Sequence, residues 1–148
     1  MKSNFFAIQN QSLQTDAALL LLRIVSGCAF AIHGWGKIQD PFHWMGSESS
    51  IPGVLQGLAA LSEFGGGLAW AVGLLTRLAA LGIGSTMAVA VYLHLAVLGD
   101  PFVNPKEGGS YELAAVYLSV ALLLFTAGPG RFSLDRILLG ARPQEKPS

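Results

Sequence analysis

Charge is scarce in this sequence. Only 12% of its 148 residues are Asp, Glu, Lys or Arg, about half the roughly 25% of an ordinary soluble domain. A soluble fold of this size must cover most of its surface with polar groups. This chain lacks them, which excludes a typical cytosolic enzyme and a disordered tail. Nine basic residues balance nine acidic ones. Without a basic field, no nucleic-acid partner is expected. Cysteine is nearly absent too. Cys28 stands alone, which excludes an internal disulfide, a CxxC redox pair and a cysteine-rich zinc site.

What is abundant is apolar length. Hydrophobic residues make up 52% of the chain, and mean hydropathy is +0.52. A bilayer core about 30 Å thick takes roughly 20 apolar residues as helix. Four stretches qualify: 17–36, about 54–75, about 78–98 and 111–127. Backbone polar groups in lipid must be satisfied within their own segment, so helix is the expected state. The expected fold is all-α, a four-transmembrane-helix bundle. Residues 1–16 and 128–148 flank the bundle of 17–127 as cytoplasmic segments. The punctuation agrees: Thr15-Asp16 as N-cap, Asp40-Pro41, Ile51-Pro52-Gly53, Asp100-Pro101, Asn104-Pro105 and Gly128-Pro129-Gly130. Leu75-Thr76-Arg77 makes a tight turn, so the second and third spans should be antiparallel neighbours. The first span contains Arg23 and no A-x-A-like site follows it, so cleavage as a signal peptide is not expected.

Orientation follows the Lys/Arg bias. Lys2, Arg77, Arg131, Arg136, Arg142 and Lys146 fall on one side, Lys37 and Lys106 on the other. The positive-inside rule puts both termini in the cytoplasm. The loops of about 38–53 and 99–110 then face outward. Trp35, Trp44, Phe102 and Tyr111 would mark the outer interface, and Phe5, Phe6, Phe125 and Phe132 the inner one. Residues 133–139 read as a short interfacial helix capped by Ser133. A weak repeat is also visible: His33 then Asp40-Pro41-Phe42, and His94 then Asp100-Pro101-Phe102. If real, it makes two parallel helical hairpins and puts both histidines at similar depth.

Ionisable groups inside a bilayer are costly and usually face a bundle interior. Helical spacing puts Arg23, Phe30, His33, Gly34 and Lys37 in one sector of the first span, and Gln56, Glu63, Gly67 and Trp70 on one face of the second. An Arg23–Glu63 structural ion pair is expected. His33, Lys37, Glu63, His94 and Glu112 form a candidate ligand-binding set in the outer half; no catalytic residue can be assigned among them. Three ligand readings stay open. His33 and His94 are weak candidates for metal ligands, although Glu63 and Glu112 cannot be coplanar with them. The same two histidines could ligate a haem. A quinone would find donors in His33, Lys37 or His94 and walls in Phe30, Trp35 and Trp70. Cys28 beside Gly27 reads as core packing. Gly65-Gly66-Gly67 and Gly82, Gly84 read as close helix crossings.

These residues together resemble the DoxX family of small four-helix membrane proteins. The matching pieces are Arg23, His33-Gly34, Lys37, Glu63-Phe64-Gly65-Gly66-Gly67, Gly73-Leu74-Leu75-Thr76-Arg77, His94, Glu112 and the closing Gly128-Pro129-Gly130-Arg131-Phe132-Ser133-Leu134-Asp135. The resemblance implies a multi-pass protein of a bacterial or archaeal cytoplasmic (inner) membrane. It also implies association with quinone-linked oxidoreductases, for which the family is named. Two functions follow as expectations. One is a quinone-linked, redox-associated membrane subunit working beside a redox protein partner. The other is a non-catalytic scaffold or anchor whose buried charges are structural. Lipid is the expected surrounding and a homo-oligomer is allowed.

Overall fold

The apolar runs become helices, and their ends fall where the sequence offers caps. The computed structural model describes residues 11–139. The helices are α1 (Leu13–Gln39), α2 (Gly53–Val72), α3 (Thr76–Tyr92), α4 (Glu112–Ala127) and α5 (Leu134–Leu139), and α3 runs on into a π-helical segment, Leu93–Leu98. Among the described residues there is no strand. Two helices, Leu13–Gln39 and Thr76–Leu98, are long and apolar enough to cross a membrane, while α4 is a shorter apolar helix. Lys2, Phe5, Phe6, Arg142 and Lys146, which entered the reading of orientation, lie outside the described residues.

The cap of α1 is Ser12, whose hydroxyl accepts from the Thr15 N–H at 3.1 Å. This corrects the expected Thr15-Asp16 cap, because Asp16 turns inward to meet Arg131. Between α2 and α3 the chain reverses through Gly73 (φ 71°) and Leu75 (φ 47°), both left-handed. That conformation costs a non-glycine residue about 1–2 kcal/mol. Asp135 holds it in place, accepting from the N–H groups of Leu75 and Thr76 at 2.7 and 2.9 Å.

Glycine sets how closely α1 and α2 pack. A Cβ at Gly27 would fall 2.6 Å from Ala71 N and Gly67 O, and one at Gly67 would fall 2.5 Å from Ala31 N. Gly34 lies against the backbone of Glu63 and Phe64 in the same way. The small-residue crossing expected at residues 65–67 is therefore completed by glycines two turns apart on α1. α3 packs on α2, with Gly82 against Ser62 and Gly66 against Ile83, and α4 packs on α3 where Gly84 meets Ala121. Trp70, Ile83 and Leu124 fill the centre. Phe30 meets Trp70 edge-on, with centroids 5.7 Å apart, and also reaches Tyr117 on α4 at 4.7 Å.

The distribution of polarity is inverted relative to a soluble domain. Arg23, Asp16 and Glu63 are 0%, 1% and 3% exposed, whereas Leu21, Ile32, Leu58 and Val89 are all more than half exposed. In lipid the outward Leu and Val side chains lose nothing, and the charges must find partners inside.

Gly67→Leu should force α1 and α2 apart and lower stability by about 1–3 kcal/mol, the usual effect of overpacking. Gly36→Leu, with open space around it, should leave the melting temperature unchanged. Circular dichroism melts in detergent check both.

Candidate ligand site between two helices

The close crossing decides which charges meet. Gly34 abuts Glu63, and Lys37 follows Gly34 by about one helical turn. The Lys37 ammonium therefore reaches the Glu63 carboxylate, donating to Oε1 at 2.6 Å. Glu63 is almost fully enclosed, and the Lys37 side chain is 25% exposed. The same ammonium lies over the Trp44 ring, 4.3 Å from its centroid, a cation–π contact that adds to its hold.

The expected Arg23–Glu63 pair is not formed. Arg23 lies roughly 16 Å further back along α1 from the Gly34–Glu63 contact, at about 1.5 Å of rise per residue. Its guanidinium instead donates to the Phe132 carbonyl and sits against Gly73. The closing segment Gly128–Asp135 forms a strap across this end of the helices. Arg131 binds the buried Asp16 twice, through its backbone N–H at 3.0 Å and its Nε at 2.7 Å. Ser133 accepts from the Arg136 N–H and so caps α5. The Asp135 N–H donates to Gly73 O. The charged interior therefore divides into two stations, a strap station and the Lys37–Glu63 station.

Of the five-residue set expected to converge, only Lys37 and Glu63 meet. His33 is exposed, because it lies about 100° round the helix from the buried Gly34. His94 is half-buried on the π-helical segment, with Nδ1 2.7 Å from the Asp100 carboxylate. Glu112 is exposed in the first turn of α4, where a carboxylate suits the helix dipole. Cys28 is exposed and does not pack in the core. Among the described residues, no three His, Cys, Asp or Glu side chains gather as metal ligands. His33 and His94, weighed together for a metal or haem, sit in unlike settings: His43, and not His33, pairs with Asp40.

The Lys37–Glu63 pair borders a cavity of about 690 Å³ between α2 and α3. Its walls are largely apolar, with Leu55, Ala59, Met87 and Ala90 among them, and Ser62 and Thr86 add hydroxyls. The loop before α2 covers one end. Gln56, which is 4% exposed, holds that loop three ways. Its Nε2 donates to Ile51 O at 2.9 Å, its Oε1 accepts from Met45 N–H at 3.1 Å, and its backbone carbonyl accepts from the Trp44 indole at 3.0 Å. Gln56 shares the Glu63 face in the sequence, and a buried amide there was the available signal. Nothing local in the sequence marked Trp44 as a wall.

An apolar exterior, an interior holding Arg23, Asp16 and Glu63, and an ion pair beside a mainly apolar groove define a helical membrane protein. Comparison with known proteins narrows the class: the DoxX family model matches residues 18–96. The chain belongs to the DoxX family. It is 36% identical over 132 residues to "Inner membrane protein YqjF" of Escherichia coli (strain K12), an alignment covering 83% of this chain and 93% of that protein. It is 33% identical over 119 residues to an uncharacterized protein of Haemophilus influenzae, covering 79% and 87%. No solved structure matches.

Lys37→Ala should destabilise the protein by about 2–3 kcal/mol, less than the 3–5 kcal/mol typical of a fully enclosed pair because solvent reaches Lys37. The double variant Lys37→Met/Glu63→Leu should recover most of that loss, measured against Lys37→Met and Glu63→Leu alone in a double-mutant cycle of thermal unfolding. Asp135→Ala, which frees two N–H groups at the start of α3, should lower stability by about 2 kcal/mol in the same assay.

Proposed function

We propose that this protein spans the inner membrane four times with both termini in the cytoplasm, and that its α2–α3 groove binds a quinone-class ligand for a redox partner. The observation that carries the reading is the Lys37–Glu63 pair at the border of a mainly apolar groove. Ligand sites are typically apolar cavities with a few polar groups that fix orientation. The donor set fits a quinone. The Lys37 ammonium can donate to a ring carbonyl, Glu63 can hold or pass a proton, and the Trp44 indole offers a flat face. A bound quinone supplies two-electron chemistry coupled to protons, with the electrons coming from the partner. The chain's own residues bind the head, orient it and exchange protons at the Glu63 carboxylate.

The four-span topology draws support from the apolar outward faces of α1 to α4. The arginines of the strap and of the α2–α3 turn favour the cytoplasm at that end. On this topology α5, with Ile137 and Leu138 exposed, lies in the inner interface.

A second reading, the non-catalytic scaffold, is favoured by the strap, whose contacts bind helix ends and touch no cavity residue. Titrating decylubiquinone into purified protein in nanodiscs, read by tryptophan quenching, separates the two. Glu63→Gln and Lys37→Ala should weaken binding by about tenfold or more, equivalent to 1.4 kcal/mol. His33→Ala should leave it unchanged. Equal binding in all four proteins, or none in the wild type, refutes the quinone site and favours the scaffold.

A further inference from the structure

The groove exists because α2 and α3 diverge. They are in contact where Gly82 meets Ser62 and Gly66 meets Ile83. Beyond that point Leu55 and Ala59 on one helix, and Val89 and Ala90 on the other, all line the same cavity. Two of its boundaries are formed by protein, the first of them around a Lys37 side chain that is 25% exposed. Lys37, Glu63 and the buried Met87 stand at the side of the helix packing. The loop from Trp44 to Pro52 stands over the long-loop end, fastened by the three hydrogen bonds of Gln56. The remaining flank is bordered by Leu58, Val89 and Tyr92, which are 54%, 54% and 62% exposed. A mouth made of such residues would be unfavourable toward water and is neutral toward acyl chains.

We propose that this groove is loaded sideways from the outer leaflet, between Leu58 and Val89, and that its ligand is a single-tailed amphiphile whose head lies by Lys37 and Glu63 while its tail stays in the bilayer. This inference rests on the four-span placement and deepens the ligand reading. Lys37 and Glu63 lie at the inner boundary and Leu58 and Val89 at the mouth, so the head must enter first. The 690 Å³ cavity lies within the roughly 300–1,000 Å³ range of small-molecule sites. That leaves room for a head group and at least part of a tail. Gln56 acts as a positioning residue, because its amide keeps the loop over the aqueous route.

The test uses a nitroxide attached at Ala59→Cys, and separately at Ser85→Cys, in a Cys28→Ser background. The protein is reconstituted in phosphatidylcholine vesicles and read by power saturation. Oxygen, concentrated in lipid, should relax either label several-fold more than a water-soluble nickel chelate does. Adding Gln56→Ala, which removes the two side-chain hydrogen bonds and leaves the Trp44 bond to the backbone carbonyl, should raise nickel collisions several-fold by loosening the loop. Nickel relaxing the label as strongly as oxygen with Gln56 intact would overturn lateral loading. Decylubiquinone should shield the label from oxygen, and tail-less duroquinone at equal concentration should not. Equal shielding by the two overturns the single-tailed ligand. Shielding by neither removes the quinone assignment, while the oxygen-to-nickel ratio still decides the route.

Discussion

The approach of α1 to α2 through Gly27, Gly34 and Gly67 governs the rest of the molecule. With no side chain at these positions the two backbones come into contact, and the register between the helices is set to within a residue. That register determines where every charge on α1 arrives. Lys37, one turn beyond Gly34, lands on Glu63. Arg23, one turn before Gly27, lands beside Gly73 and under the closing segment. A different crossing would have required a different pairing. Buried charges tolerate little misplacement, since each one removed from water needs a partner at hydrogen-bond distance.

The strap shows how the opposite end is secured. Arg131 engages Asp16 at the start of α1, Phe132 gives its carbonyl to Arg23, and Asp135 covers the first N–H groups of α3. One short segment thus ties together helix ends that are far apart in sequence. It also stabilises the left-handed Leu75, which no local feature would hold. Arg23 keeps Nε and one terminal nitrogen without a hydrogen-bond partner among the described residues, and the Asp135 carboxylate is an opposite charge that acts on it. The separation of this station from the Lys37–Glu63 station matters for function. The strap's contacts tie helix ends together away from the cavity, whereas Lys37 stands part-exposed at its edge.

Much of this is legible in the sequence. The helices follow from apolar runs and turn residues, the enclosure of Arg23 and Glu63 from the expense of charge in lipid, and the family from ordered motifs such as Glu63-Phe64-Gly65-Gly66-Gly67. The partner of Glu63 was not legible, because helical periodicity gives the face of a residue but not its height against a neighbouring helix. His33 shows the limit of the face argument too. It lies at one edge of the sector it shares with Arg23, Phe30, Gly34 and Lys37, and a rotation smaller than one residue's step turns an edge position outward. Gln56 and Trp44 were missed as a pair because they meet through a loop, which carries no period.

The sequence by itself determined the kind of environment, the helical state, the main breaks between helices and the type of group that has to be inside. These depend on composition and on neighbours along the chain, where the bilayer and backbone hydrogen bonding leave few choices. Only the tertiary structure decided that Lys37 and not Arg23 meets Glu63, that Asp135 caps a helix more than fifty residues earlier, and that α2 and α3 part to leave a groove. Those outcomes depend on the angle and register of helix against helix. Both are set by contacts between residues distant in sequence, at glycine positions where one added methyl group would change the answer.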